Sequence, residues 1–174
     1  MARIVMIGYG NRLRSDDGVG CAVAEKLASR LSSPQVEVIV CHQLTPELAD
    51  TIRDAEIVFF IDAARQGVPG TFSCNRVSTG SRANSSHSGS PSGLLALAGR
   101  LYNAQPQALS VTLPGTCFDH GEDLSPELKD AVPRVAAYIE MLAAAILESR
   151  EINLLDGQPT SSRAAEVSSA PSGC

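Results

Sequence analysis

The stretch A-E-I-V-F-F-I-D at residues 55–62 constrains the fold of this chain more than any other segment, because it is apolar on both faces. A strand of that kind must be covered from both sides, so it belongs near the middle of a sheet held between two layers of helices. Residues 3–8 (R-I-V-M-I-G) and 35–41 (Q-V-E-V-I-V-C) are further short, β-branched strand segments, the first closed by glycine. Residues 107–113 (Q-A-L-S-V-T-L) predict another strand, and residues 70–77 are a weaker candidate. Helical signals alternate with them. Val19, Val23, Leu27 and Leu31, backed by Ala24 and Ala28, predict a helix over 18–32. Thr45-Pro46-Glu47, Ser90-Pro91 and Ser125-Pro126-Glu127 each place a capping hydroxyl before a proline at the first helical position. After the last of these, Leu128, Val132, Val135, Ile139, Leu142 and Ile146 alternate steps of four and three, an apolar stripe for docking on a sheet. The alternation of strand and helix predicts an α/β fold with a mostly parallel sheet and helices on both faces.

A chain of 174 residues, 44% hydrophobic and 19% charged, can bury one core. The boundaries expected are a single domain over 1–150 and a flexible C-terminal tail over 151–174, where Gly, Pro and Ser accompany no sustained apolar period. With a net charge of −5 and no block of Lys or Arg, the chain lacks the basic face that nucleic acid requires. Its first apolar run stops at Gly8, too short for a signal-peptide core or a membrane span, so the expectation is a cytoplasmic protein with no membrane contact. The five cysteines (Cys21, Cys41, Cys74, Cys117, Cys174) are scattered and odd in number, which disfavours a disulfide framework or Cys-rich zinc site. They are expected to be reduced and mostly buried.

In open parallel sheets, functional groups collect beyond the carboxyl ends of the strands. The first strand delivers G-Y-G-N-R-L-R-S-D-D-G-V-G (8–20), the central strand ends in Asp62, and a Ser- and Gly-rich loop at 79–93 carries His87. Two or three carboxylates and an imidazole converging from separate loops suit a divalent metal. Each also has a plain structural reading. Asp16 and Asp17 precede a helix and can cap it, Asp62 can organise a turn, and His87, like His42 and His120, can be a surface histidine. Gly18 and Gly20 can serve close helix–strand packing. Gly8 and Gly10 open a dinucleotide-binding pattern, but Leu13 stands in place of its third glycine. The two aspartates would also repel a pyrophosphate, so no nucleotide cofactor is expected.

The segment I-G-Y-G-N-R-L-R-S-D-D-G-V-G (7–20) resembles the opening signature of the NiFe-hydrogenase maturation proteases. The resemblance continues through H-Q-L-T-P-E-L-A (42–49), F-I-D-A-A (60–64), S-H-S-G-S-P-S-G-L-L-A-L-A (86–98) and the P-G-x-x-F-x-x-G-E-x-L-S pattern (114–125). It spans roughly residues 3–148, and its adjacent aspartates resemble the branch serving bidirectional, NAD-linked hydrogenases. It implies a three-layer α/β/α sandwich on a twisted sheet of about five strands. It also implies a metal-contacting, catalytic trio at Asp17, Asp62 and His87. Asp17 stands where many members have Glu, and Asp16 is its rival. The implied reaction is metal-assisted removal of the C-terminal extension from a nickel-loaded hydrogenase large-subunit precursor, the nickel being supplied by that substrate and the protease acting as a monomer. No G-x-S-x-G element is present, and no cysteine has a recognisable catalytic partner. Two other readings stay open: a different metal-using peptidase on the same scaffold, and a non-enzymatic nickel-binding chaperone.

Overall fold

The computed structural model describes residues 3–78 and 89–148. His87 and the expected tail lie outside them. Five strands, β1 (Ile4–Tyr9), β2 (Val36–Cys41), β3 (Ile57–Ala64), β4 (Ser73–Arg76) and β5 (Gln107–Pro114), form one sheet in the order β2-β1-β3-β5-β4. All pairs are parallel except β4 with β5, so the weaker strand candidate becomes an antiparallel edge. Four helices cover the sheet: α1 (Val19–Ala28), α2 (Leu48–Ile52), α3 (Pro91–Tyr102) and α4 (Pro126–Glu148).

The apolar character of β3 on both faces is what the sandwich needs. Ile57, Phe59 and Ile61 enter a core with Val23 and Leu27 of α1 and with Leu128, Val135 and Ile139 of α4. Val58 and Phe60 point the other way, into a second core with Ala49 and Ile52 of α2 and Leu94, Leu95 and Ala98 of α3. Phe59 and Phe60 are both fully buried, each contributing roughly 1.5–3 kcal/mol of apolar transfer to its own layer. This is the three-layer α/β/α architecture, with α1 and α4 on one face and α2 and α3 on the other.

Two local differences from the sequence reading have physical reasons. β3 runs two residues past Asp62, because Asp62, Ala63 and Ala64 stay paired with Thr112, Leu113 and Pro114 of β5. Thr45 does not cap α2, which starts later with Glu47 at its N-cap; the Thr45 carbonyl instead accepts the Leu48 N–H at 3.1 Å in the turn that leads into the helix. Ser90 does cap α3, accepting from the Gly93 N–H at 3.1 Å. The helix expected over 18–32 is α1, ending at Ala28 and preceded by a 3-10 turn at Ser15–Gly18.

The strand order fixes where a site can form. From β1 the chain crosses over one face through α1 to β2, then over the other face through α2 to β3. The connections therefore diverge from β1, and a crevice opens beyond the carboxyl ends of β1 and β3. Asp17 follows β1 and Asp62 lies on β3, so both belong to that end of the sheet.

Candidate active site

The β1–α1 connection is shaped by glycines that let backbones meet. A Cβ on Gly20 would lie 2.5 Å from the Tyr9 carbonyl oxygen and closer still to that of Ile61. The first turn of α1 therefore rests directly on the ends of β1 and β3, which bears out the packing reading of Gly20. Gly10 adopts φ +140°, a conformation open to glycine, and its backbone passes against the Asp17 carbonyl. The loop closes on itself here: the Asn11 N–H donates to Asp17 Oδ2 at 2.9 Å, and the Leu13 N–H donates to Asn11 Oδ1 at 2.9 Å.

The two adjacent aspartates do different things. Asp16 is fully buried, and its carboxylate accepts N–H bonds from Thr116 (2.8 Å), Cys117 (3.0 Å) and Ser125 (2.7 Å). Burial alone would raise its pKa, but these backbone donors outweigh burial and hold the carboxyl below the usual range. Asp17 is only partly buried and engages the loop through one oxygen. Neither aspartate makes a side-chain capping bond at the 3-10 turn or at α1, so the capping readings do not describe this end of the helix.

Asp62 sits just past the last β1–β3 pair, Gly8 with Ile61, on the sheet face shared with Phe60 and Tyr9. Its Oδ1 accepts the Ala63 N–H at 2.7 Å. Burial lifts the Asp62 carboxyl to about 6, and the charge of Asp17 adds to the rise against the opposing Ala63 N–H and Tyr9 hydroxyl. Tyr9 is raised in turn by its own burial and then by the Asp62 charge. The charge of Asp17 thus bears on Asp62 at this end of the sheet, where a cation would favour the ionised form of Asp62. The sequence alone does not single out Tyr9. Its one cue is its place at the end of a buried strand, and a lone tyrosine there carries little weight.

Among the described residues, no group of three His, Cys, Asp or Glu side chains is disposed to hold a metal ion. His87, the third member of the expected trio, lies outside them. The described chain resumes at Gly89, packed near the Leu44 carbonyl in the loop after β2, and α3 follows. His42 and His120 are exposed. A cleft of about 360 Å³ borders the crevice, lined by Gly10, Leu13, Cys21, Cys41 and His42 among others.

The cysteine expectation needs correction. Cys21 is buried, Cys41 and Cys74 are partly exposed, and Cys117 is exposed, all four as free thiols. Cys117 points outward because its backbone N–H turns inward to Asp16. Burial pushes the Cys21, Cys41 and Cys74 thiols up, which is the opposite of a nucleophile prepared for attack. No helix among the described residues is long and apolar enough to cross a membrane.

No protein-family model matches the chain. No curated protein matches it either. Solved structures do. The [NiFe] hydrogenase maturation protease HycI from Thermococcus kodakarensis KOD1 superposes with a TM-score of 0.67 at 25% identity, covering 85% of this chain and 94% of that one. HybD from Thermococcus kodakarensis, also a [NiFe] hydrogenase maturation protease, gives 0.61 at 26% identity, covering 81% and 99%. The hydrogenase maturating endopeptidase HybD from E. coli gives 0.64 at 22% identity, covering 84% and 93%, a likeness of fold. Together these similarities support a peptidase.

Proposed function

We propose that the chain is a hydrogenase maturation endopeptidase that removes the C-terminal extension of a nickel-loaded NiFe-hydrogenase large-subunit precursor. The observation that carries this reading is that Asp17 and Asp62 lie at the same crevice end of the sheet, where the charge of Asp17 helps to raise the Asp62 carboxyl, on a fold shared with maturation proteases. Asp17 is the better supported member of the aspartate pair, since the Asp16 oxygens are already taken by three backbone donors. His87 joins the two carboxylates on the strength of the sequence resemblance. The adjacent-aspartate pattern also favours a precursor of the bidirectional, NAD-linked type.

In this reading the nickel belongs to the substrate. Asp17 and Asp62 meet it with carboxylate oxygens, and His87 with an imidazole nitrogen, so a carbonyl or water on the metal becomes the reacting group. Asp62 suits that task because its proton, held to about pH 6, leaves readily when a cation arrives. The Tyr9 hydroxyl opposes the effect of burial and favours the ionised form of Asp62. No thiol or hydroxyl nucleophile is required.

The test mixes the purified chain with nickel-loaded and nickel-free precursor and follows the precursor by gel mobility and mass. Shortening of the loaded form alone is expected. Tight association without shortening would favour the chaperone reading instead.

A further inference from the structure

The geometry points to Asp16 as a positioning residue: its buried carboxylate clasps the β5–α4 loop, residues 115–125, to the β1–α1 turn, and so fixes the orientation of Asp17. This rests on the reading that Asp17 acts at the site.

The clasp joins segments about a hundred residues apart in sequence. Asp16 Oδ2 receives the Thr116 and Cys117 N–H groups, and Oδ1 receives that of Ser125. Backbone bonds run beside it: the Asp16 N–H donates to the Cys117 carbonyl at 3.0 Å and the Ser15 N–H to the Gly121 carbonyl at 2.7 Å. The Gly121 N–H returns a bond to the Leu13 carbonyl at 2.9 Å. The loop is also tied to β3, two residues beyond Asp62, by the Gly115 N–H and the Ala64 carbonyl at 2.9 Å. The Asp16 carboxylate joins the loop after β1 to the loop after β5, and the backbone bonds beside it extend the lock to the end of β3.

That lock bears on Asp17 rather than on the loop alone. Asp17 is the next residue of the same 3-10 turn, and its carboxylate closes a ring back to the Asn11 N–H. Two residues inside that ring, Leu13 and Arg14, are the ones pinned to Gly121 and Phe118. Ser15, just before Asp16, is held at φ +49°, a left-handed conformation that persists only when its surroundings impose it. Release of the loop would let Ser15 relax and would swing the turn that carries Asp17. A fully buried charge is an expensive way to hold a loop in place, and its use beside the candidate site fits a demand for fixed geometry.

The test compares the full chain with Asp16→Asn and, as an independent perturbation of the same contact, Gly115→Ala. A Cβ at 115 would lie 2.7 Å from Asp16 Cβ, 2.9 Å from Phe118 Cζ and 3.2 Å from Asp16 Oδ2, so it pushes the loop off the carboxylate while leaving the charge of Asp16 in place. Amide hydrogen exchange followed by NMR should speed up ~10-fold or more at Thr116, Cys117 and Ser125, and equally at Asn11, whose N–H reports where the Asp17 carboxylate sits. Precursor cleavage should lose ~10-fold or more in kcat with KM held within about threefold, the pattern of a misplaced reacting group. Faster exchange in the loop with an unchanged Asn11, or an unchanged kcat, would reduce Asp16 to a structural residue and overturn the proposal. The Asn11 readout needs no precursor, so a chain that cleaves nothing refutes the peptidase reading without touching this one. If Asp16→Asn does not fold, Gly115→Ala carries both measurements.

Discussion

Replacing Asp62 by Asn should make the protein more stable and functionally silent at once. The wild-type carboxyl is raised from 3.8 to about 6, first by burial and then by the charge of Asp17. That displacement corresponds to ~3 kcal/mol against the charged form, at 1.36 kcal/mol per pKa unit. Asparagine imitates the neutral acid: it keeps an oxygen for the Ala63 N–H and presents no charge to Asp17. Water at the open mouth of the crevice trims the figure, so a gain of ~1–3 kcal/mol is expected at pH 8.

The sign with pH is specific. The folded state holds the Asp62 proton up to about pH 6, whereas the unfolded chain releases it near 4. Between those values the folded protein binds more protons, so wild-type stability falls as pH rises through that window and levels off above it. The variant has no such group. Its advantage should be close to nil at pH 4, grow between pH 4 and 6, and stay constant up to pH 8. Urea unfolding at three pH values measures it, and a gain of this size should raise Tm by roughly 3–10 °C at pH 8 for a chain of this length. Cleavage of nickel-loaded precursor should fall at least ~100-fold, because the variant cannot balance the charge of the cation. A variant no more stable than wild type at pH 8, or one whose gain is the same at pH 4, refutes the account of a strained carboxyl. Near-normal cleavage refutes the role of Asp62 altogether.

Gly20→Ala should destabilise the fold by ~1–3 kcal/mol in urea unfolding, since its Cβ meets two backbone carbonyls that cannot yield without lifting α1 from the sheet. An unchanged midpoint would mean that the approach of α1 to β1 and β3 is looser than described. Cys117→Ser should leave both the unfolding midpoint and the rate of cleavage within about twofold of wild type, because the clasp uses the Cys117 N–H and not its exposed thiol. A large loss of activity would bring a thiol back into the chemistry.

The parts of the fold legible in the sequence are those written in single-residue periodicities. The two apolar faces of 55–62 require cover on both sides, and Phe59 and Phe60 do enter opposite cores. The stripe from Leu128 to Ile146 predicts α4, whose Leu128, Val135, Ile139 and Ile146 are buried against one face of the sheet. What could not be read depends on partners distant in sequence. Thr45-Pro46-Glu47 and Ser90-Pro91 are the same local signal, yet only Ser90 caps, because α3 starts directly after Ser90 whereas α2 starts three residues beyond Thr45, out of reach of its hydroxyl oxygen. The aspartate pair makes the same point for the site. In sequence Asp16 and Asp17 are interchangeable, two acids before a helix, and the resemblance leaves them as rivals. What separates them is the loop at 115–125, which fills one carboxylate with three N–H donors and leaves the other partly exposed beside Asp62. The P-G-x-x-F-x-x-G-E-x-L-S motif that carries this loop thus has a physical meaning hidden in its letters: it supplies the donors that hold Asp16, and through Asp16 the neighbouring carboxylate.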